Sequence, residues 1–201
     1  ANVDQQRGAH FTMLQLPADI PAAAAAVALP FAAIRGALGL GLTAVGAEMD
    51  ETDEYHPLGT GRTFTYSAVA LHLGAARALT DKLSFGVTAK LFREGLGPEV
   101  GGPELTTWLV DAGAIYFVGY RDARIGLALS NFGPDLTPSG HFVSRRNGAE
   151  VRYDSFSPPT FFRFSLAIDP IHTENWLGVT VLEIGHPADN QEVLRMGGEL
   201  S

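Results

Sequence analysis

In the stretch KLSFGVTAKLF, residues 82–92, two kinds of side chain alternate strictly as far as Leu91. From Leu83 to Leu91 every second residue is apolar, and the residues between are small or polar. This period of two predicts a β-strand, because successive side chains of a strand point to opposite faces of the sheet. The alternation leaves open whether the apolar face contacts a protein core or lipid. The apolar set is Leu83, Phe85, Val87, Ala89 and Leu91, and the other set is Ser84, Gly86, Thr88 and Lys90.

The composition favours a sheet with few charges. Of 201 residues, 46% are hydrophobic and 18% are charged, whereas an average soluble domain has roughly 25% charged residues. The 23 glycines suit strands and turns better than helices. The formal net charge of −8 disfavours binding to phosphate backbones, so we expect no nucleic-acid partner. The chain has no cysteine, which excludes disulfides and thiolate chemistry.

The two ends of the sequence suggest a longer parent chain. The chain starts at Ala1 without a charged and apolar leader, and it stops at Ser201 within a strand-like pattern. We therefore expect a fragment, or a chain from which a signal peptide has been removed.

Residues 22–47 are apolar enough to raise the question of a membrane-spanning helix, which needs about 20 apolar residues. Pro30 lies in the middle of the segment, four glycines interrupt it, and alanine is only weakly hydrophobic. Leucine and glycine alternate over residues 38–42, which suits a strand better. We predict two strands joined near Arg35 and Gly36, with a spanning helix as the alternative.

The remaining sequence predicts further strands, joined by connections of unequal length. The turns at 79–82 and 119–122 are short, whereas residues 48–62, 95–104 and 133–159 form long polar or Gly/Pro-rich loops. Strands of about 9 to 11 residues with short turns on one side and long loops on the other are typical of membrane β-barrels. The predicted strands are 63–79, 83–94, 107–118, 123–132, 160–168, 176–184 and a last strand from 193.

Aromatic residues fall near the ends of these strands, where a barrel would carry its interfacial girdles. In the strand at 176–184, Leu177, Val179 and Val181 share one face. The predicted girdle residues are Phe64, Tyr66, Phe92, Trp108, Tyr116, Phe117, Phe132, Phe161 and Trp176.

Four charged residues lie on the non-apolar faces of their strands: Lys90, Asp111, Arg124 and Arg163. In a soluble sandwich they would face water, and in a barrel they would face a polar lumen where they can pair. We predict an ion-pair network in the lumen, with Asp111 and Arg124 as neighbours across one hairpin. A selectivity device or a ligand site is the alternative.

Other candidate chemistry is weak. The acidic run at 48–54 offers hard oxygen ligands for Ca²⁺ but lacks the EF-hand spacing, so a solvated loop is favoured. The six histidines show no metal-ligand spacing, and we expect His72 to be a hydrogen-bonded interior residue. Ser67 and His72 point to opposite faces of one strand and cannot form a hydrolase pair. Neither GTGR at 59–62 nor the Gly-rich stretch LGLGL at 38–42 has the context of a nucleotide loop. We expect no enzyme activity, no cofactor and no metal.

From residue 76 onward, a series of blocks resembles the PorV/PorQ family of bacterial outer-membrane proteins, which is related to the FadL-type transporters of hydrophobic compounds. PLGTG at 57–61 also resembles an early loop of that family. The resemblance covers about two thirds of the chain, and it rests on the order of the blocks. The blocks are ARALTDKLSFGVTAKLFREGL (76–96), LVDAGAIYFVG (109–119), RIGLALSNFGPDL (124–136), SPPTFFRFSLAID (157–169) and VLEIGHPADNQEVLRMGGEL (181–200).

The resemblance implies an all-β fold, a transmembrane antiparallel up-and-down β-barrel of FadL-like type that is incomplete in this chain. Residues 1–201 would form one partial barrel domain in the outer membrane of a Gram-negative bacterium. The implied function is non-enzymatic: docking or shuttling of cargo in protein secretion of the type IX kind. The family's Asn-Pro-Ala-Gly-like plug motif and its closing strands are missing here, which fits a fragment.

Two other functions stay open. A FadL-like transporter of hydrophobic small molecules would need an apolar lumen, and Leu109, Ile115 and Phe117 share the inward face of one strand. A structural barrel subunit of a larger envelope assembly is also possible on these residues, and a soluble all-β domain is the remaining competitor.

The resemblance also implies the partners. Outer-membrane lipid would cover the apolar face, and other envelope or secreted proteins would bind the long loops at 48–62, 95–104 and 133–159. The candidate contact residues in these loops are Asp50, Asp53, Tyr55, Arg145, Arg146 and Tyr153.

Overall fold

The computed structural model describes residues 7–52, 54–143, 146, 148–173 and 176–201, and within these ranges the chain is almost entirely β-structure. Twelve strands follow one another in the described residues. They are β1 (Gly8–Leu16), β2 (Ile20–Phe31), β3 (Gly36–Asp50), β4 (Thr63–Ala78), β5 (Leu83–Leu96), β6 (Glu104–Phe117), β7 (Arg124–Phe132), β8 (His141–Val143), β9 (Glu150–Arg152), β10 (Phe161–His172), β11 (Leu177–Pro187) and β12 (Val193–Leu200).

Ten of these strands form one antiparallel sheet. Strands that follow one another along the chain pair with each other, except that β7 pairs with β10. The order is β1-β2-β3-β4-β5-β6-β7-β10-β11-β12, and β8 and β9 form a separate small hairpin. The prediction of an all-β, up-and-down antiparallel architecture is thus confirmed. The edge strands β1 and β12 do not pair with each other, so the sheet is open.

The apolar first third forms strands, as predicted. Strands β2 and β3 are joined by a short turn at 32–35, and β1, which the sequence pattern did not predict, pairs with β2. Pro30 lies two residues beyond the last β1–β2 pair, Gly8 with Ala28, at a strand end where a missing ladder hydrogen bond is tolerated. None of the helical segments in the described ranges is long and apolar enough to cross a membrane.

The register gives the sheet two chemically different faces, because directly paired residues of neighbouring strands lie on the same face. One row across β2 to β6 runs Val27, Leu40, Leu73, Ala89 and Val110, and this side is called the apolar face. The opposite side, called the polar face, carries small and polar residues. Its clearest row across β3 to β6 is Gly39, Gly74, Thr88 and Asp111.

The apolar face is exposed along the whole sheet. The side chains of Leu40, Leu73, Leu91 and Met196, on four different strands, are 50%, 61%, 54% and 81% exposed. No second layer of protein packs on this face in the described part of the chain. The buried apolar residues of the described ranges, of which the strand residues lie on the polar face, are Ala68, Leu105, Leu109, Ala123, Leu136 and Ala167.

Strand β11 shows that alternation alone does not identify the apolar face. Val181 pairs with Ala167, so the predicted set Leu177, Val179 and Val181 lies on the polar face. The apolar face of β11 is instead made by Leu182 and Ile184, which lie opposite Leu166 and Phe164. Both sets of this strand are apolar, and only the pairing with β10 decides between them.

The prediction of aromatic girdles needs a similar correction. The register places Phe64, Tyr66, Phe92, Phe117 and Phe161 on the polar face and not on the apolar face that a girdle requires. The reason is local packing: the Phe64 ring lies against the loop at Gly97, and the Tyr66 hydroxyl donates a 2.9 Å hydrogen bond to Glu94. The predicted girdle residues that the apolar face carries are Trp108, Tyr116 and Phe132.

The connections differ at the two ends of the sheet. At one end, called the turn end, the connections at 32–35, 79–82, 118–123 and 173–176 are short. The other end, called the loop end, carries the short connections 17–19 and 188–192 and the longer connections 51–62, 97–103 and 133–160.

Two loops fold back over the polar face at the loop end. The Gly97 N–H donates to the Thr65 carbonyl at 2.9 Å, and Ser139 pairs with Glu104. The buried side chains of Leu105, Leu109 and Leu136 lie in this region. The loop at 133–160 also contains the β8–β9 hairpin, which the prediction of an irregular loop missed.

Candidate functional site

An ion pair lies on the polar face in the middle of the sheet. Lys90 on β5 and Asp111 on β6 are joined by a distance of 2.7 Å between Nζ and Oδ1. The Lys90 side chain is only 10% exposed and that of Asp111 is 32% exposed. Removing one partner of a pair whose ammonium is so shielded from water is costly, because it leaves an uncompensated charge.

Asn131 completes this ion pair, and the sequence prediction did not include it. Asn131 has a left-handed backbone, with φ of 58°, at a register shift between β6 and β7. Its backbone N–H donates to the Asp111 carboxylate at 2.7 Å, and its side-chain oxygen accepts from the Lys90 ammonium at 2.5 Å. Asparagine adopts this backbone more readily than most residues, so the motif NFGP at 131–134 was the available signal.

The same cluster is tied to the start of β10 and to the neighbouring strands. The Asn131 side-chain amide donates to the Pro159 carbonyl at 3.2 Å, and the Thr160 hydroxyl donates to the Asn131 carbonyl at 3.1 Å. On the other side of Lys90, His72 lies 3.3 Å from the Thr43 hydroxyl, as the expectation of a hydrogen-bonded interior histidine requires. Polar contacts therefore connect strands β3 and β4, and strands β5, β6, β7 and the start of β10, across the polar face.

Arg124 and Asp111 are not neighbours, which corrects the predicted pairing across the hairpin. Arg124 lies opposite Phe117 beside the turn, whereas Asp111 is six residues further along β6, at the bulge with Asn131. Arg124 instead approaches Asp169 of β10, at 3.5 Å between Nη1 and Oδ1. Asp169 is buried, and sequence reasoning missed it because it was assigned to a turn.

Arg163 lies on the same polar face but has no acidic partner among the described residues. Its Nη2 is 3.5 Å from the Ser130 hydroxyl, and its guanidinium carbon lies 5.7 Å from the centre of the Phe161 ring. Its Nε is buried and has no hydrogen-bond partner. Of the four predicted network residues, the structure thus joins only Lys90 and Asp111.

Small residues leave hollows along the polar face. One hollow of about 600 Å³ lies over β2 to β4, and others of about 450 and 420 Å³ lie further along the sheet. The linings consist largely of glycine and alanine, together with the polar residues His72, Thr88, Asp111 and Arg163.

The predicted loop contact residues lie at the loop end wherever the structure describes them. Asp50 ends β3, Tyr55 is 80% exposed, and Arg146 is exposed. Tyr153 follows β9 and packs on the Phe142 ring at a centroid distance of 5.5 Å. Asp53 and Arg145 lie outside the described residues.

The acidic loop after β3 is held by its own hydrogen bonds. Glu51 accepts from the Thr60 hydroxyl at 3.0 Å and lies 3.5 Å from Arg62. Within the described ranges no three His, Asp or Glu side chains come together in a way that would hold a metal ion.

No protein-family model matches the sequence, and no curated protein is significantly similar to it. The resemblance to the PorV/PorQ family therefore stays a hypothesis. The function is inferred from the two faces and the two ends of the sheet.

Proposed function

We propose that the protein is a non-enzymatic barrel component of a bacterial outer membrane, of the PorV type, which docks or shuttles secreted proteins. The observation that carries this proposal is the exposed apolar face, which extends over all ten strands of the sheet. Contiguous apolar patches on soluble monomers rarely exceed a few hundred Å². Lipid is the partner that suits an apolar surface of this extent, and it leaves the polar face for a lumen.

The unequal connections support the same proposal. Short turns lie at one end of the sheet, and the three longest connections lie at the other. Bacterial outer-membrane barrels have this asymmetry, with short turns on the periplasmic side and long loops outside. The loop end would then be the surface that other proteins reach.

The strand count is compatible with closure. Because the sheet has ten strands, its edge strands β1 and β12 run antiparallel to each other. They could pair directly or through an even number of added strands, and barrels of this class contain an even number of strands. Closure would remove both unpaired edges, which are otherwise sites of aggregation.

Membrane partitioning of the full-length protein tests the proposal. Outer membranes are separated and washed with carbonate, and gel mobility is compared with and without boiling. We expect the protein to stay in the membrane fraction and to migrate differently before and after boiling. A protein that the carbonate wash releases, with no heat-dependent mobility, would refute both secretion and transport across this membrane.

Site-specific photo-crosslinking in intact cells tests the docking role. A photoreactive residue at Tyr55 or Arg146, on the loop end, is compared with one at Tyr120, which is 65% exposed at the turn end. We expect protein crosslinks from the loop-end positions that the turn-end position does not give. Identical crosslinking patterns from both ends would contradict docking by the loops.

The second candidate function is transport of hydrophobic small molecules, which the hollows on the polar face favour. Leu109, Ile115 and Phe117 do share that face, although Leu109 is buried. Mass spectrometry of lipids that co-purify with the protein distinguishes the two functions. A stoichiometric amphiphile together with absent loop-end crosslinks would favour transport. A structural barrel subunit remains the third reading, and it predicts constant rather than cargo-dependent crosslinks.

A further inference from the structure

Arg163 differs from the other charged residues near the middle of the polar face. Lys90 is bound to Asp111, and Arg195 on β12 is bound to Glu183 on β11 at 2.7 Å. In the part of the chain that the structure describes, no carboxylate forms an ion pair with Arg163. Its charge therefore lacks the compensation that the neighbouring cations have.

The guanidinium of Arg163 is nevertheless held in place. It lies over the Phe161 ring at 5.7 Å, and the Arg195 guanidinium lies 5.8 Å from the centre of the same ring. A side chain on Gly185 would collide with Phe161, since an added Cβ would lie 2.5 Å from the ring. The ring position, and with it the cation–π contact, thus depends on a glycine in β11.

Most of the hydrogen-bonding capacity of Arg163 is unused. A guanidinium carries five N–H donors, of which one makes a long contact of 3.5 Å to Ser130. The buried Nε has no partner. An unmet buried donor is costly, and a charged donor more so, so an acceptor that binds this guanidinium is favoured.

A hollow of about 450 Å³ opens beside this guanidinium. This volume lies within the range of about 300 to 1,000 Å³ that is common for small-molecule sites. Ser84 and Ser165 contribute hydroxyls to the lining, and Gly86, Gly113 and Gly126 leave its floor without side chains. Glu183 also lines it, but Arg195 neutralises that carboxylate.

We propose that the hollow lined by Arg163, Ser84 and Ser165 binds a small organic oxyanion, a carboxylate or a phosphate, with Arg163 as the group that holds the anion. The planar fork of arginine binds both groups through two parallel hydrogen bonds. The glycine floor admits a ring-sized or short-chain body behind the anionic group. This inference goes beyond docking by the loops, and it stands on the polar face alone, whatever covers the apolar face.

The test measures binding of benzoate and phenyl phosphate to the purified protein in a non-ionic detergent, with benzyl alcohol as the neutral counterpart. Saturation-transfer NMR titrations give the affinities. We expect both anions to bind, and to bind at least about tenfold more weakly to Arg163→Gln. Benzyl alcohol should bind more weakly than either anion, and equally to all variants. The charge-matched control is Arg93→Gln, because Arg93 is 68% exposed near the loop end and pairs with Glu104.

Arg163→Lys keeps the test decisive if the glutamine variant does not fold. A lysine keeps the charge but loses the fork, so the affinity for benzoate should fall more than that for phenyl phosphate. Equal anion affinities in the wild type and in either Arg163 variant would overturn the site. Benzyl alcohol binding as tightly as benzoate would overturn it too. Membrane partitioning can succeed while this test fails, so the failure of one proposal is distinguishable from that of the other.

Discussion

The carboxylate of Asp111 accepts hydrogen bonds from the Lys90 ammonium on one strand and from the Asn131 backbone on another. The carboxylate of Asp111 thus fixes the positions of Lys90 and Asn131. The bulge at Asn131 makes this possible, because it turns a backbone N–H toward Asp111. The register shift at Asn131 therefore joins Asp111, Lys90 and Asn131 into one polar cluster.

The first prediction concerns stability. Asp111→Ala leaves the shielded Lys90 ammonium without its counter-charge, and we expect a loss of about 2 to 3 kcal/mol in the free energy of unfolding. Asp189→Ala, in the exposed 188–192 loop, is the control. Urea-unfolding midpoints and the temperature of the gel-mobility change are the measurements.

A double variant sharpens this prediction. Replacing both partners, as in Lys90→Met with Asp111→Leu, removes the unpaired charge, and we expect it to recover much of the loss. If Asp111→Ala is no more destabilising than Asp189→Ala, the cluster does not hold the strands together. A double variant as unstable as the sum of its single variants would show that the two residues act independently.

At the scale of one element, the connection at 97–103 is a folded loop rather than a flexible one. A 3₁₀ turn, Pro98–Val100, carries Glu99, whose carboxylate accepts the backbone N–H of Thr65 at the start of β4. These backbone hydrogen bonds, to its own N–H and to that of Thr65, lower the pKa of Glu99 from its ordinary value. The hydrogen bond between this loop and the start of β4 therefore depends on pH.

The second prediction follows from the sign of this pKa shift. A carboxyl with a lowered pKa in the folded loop stabilises it fully at a pH above its ordinary pKa. This contribution is lost as the pH falls through the lowered pKa of the folded loop. We expect the Thr65 amide signal in NMR spectra to titrate at a pH below the ordinary range of glutamate, and Glu99→Gln to abolish this titration. Glu150→Gln, at an exposed position of β9, is the control. A Thr65 signal that still titrates in Glu99→Gln would contradict the assignment.

At the scale of the whole molecule, we expect the two faces of the sheet to differ in how well they tolerate an introduced charge. Leu73 lies on the apolar face near the middle of β4, and Thr88 lies on the polar face directly opposite Asp111. In a membrane barrel, a lipid-facing arginine near the bilayer centre costs roughly 2–4 kcal/mol. An arginine in a polar lumen next to a carboxylate has no such cost.

The third prediction compares these two positions. Leu73→Arg should make the folded protein less stable in lipid bilayers by roughly 2–4 kcal/mol. Thr88→Arg should change this stability by less than about 1 kcal/mol. The measurement is urea titration of folding into vesicles, followed by gel mobility. Equal tolerance of both arginines would mean that lipid does not cover the apolar face. A larger cost at Thr88 would mean that the faces are assigned the wrong way round.

The sequence by itself determined the class of the fold and most of its strands. Strict alternation at 82–91 and the Gly/Pro-rich breaks required neighbouring strands, since a period of two has one structural interpretation at that length. It also placed Lys90, Asp111, Arg124 and Arg163 on one side, because that assignment needs only the parity within each strand.

The tertiary structure alone decided which charges meet. Pairing between strands depends on the register, and a bulge at Asn131 and a buried Asp169 beside the turn redirect both Asp111 and Arg124. The face of β11 was equally open, because a strand with apolar residues on both sides carries no parity signal. The sequence could not show either that Arg163 has no acidic partner among the described residues, since ion pairs depend on which strands lie side by side.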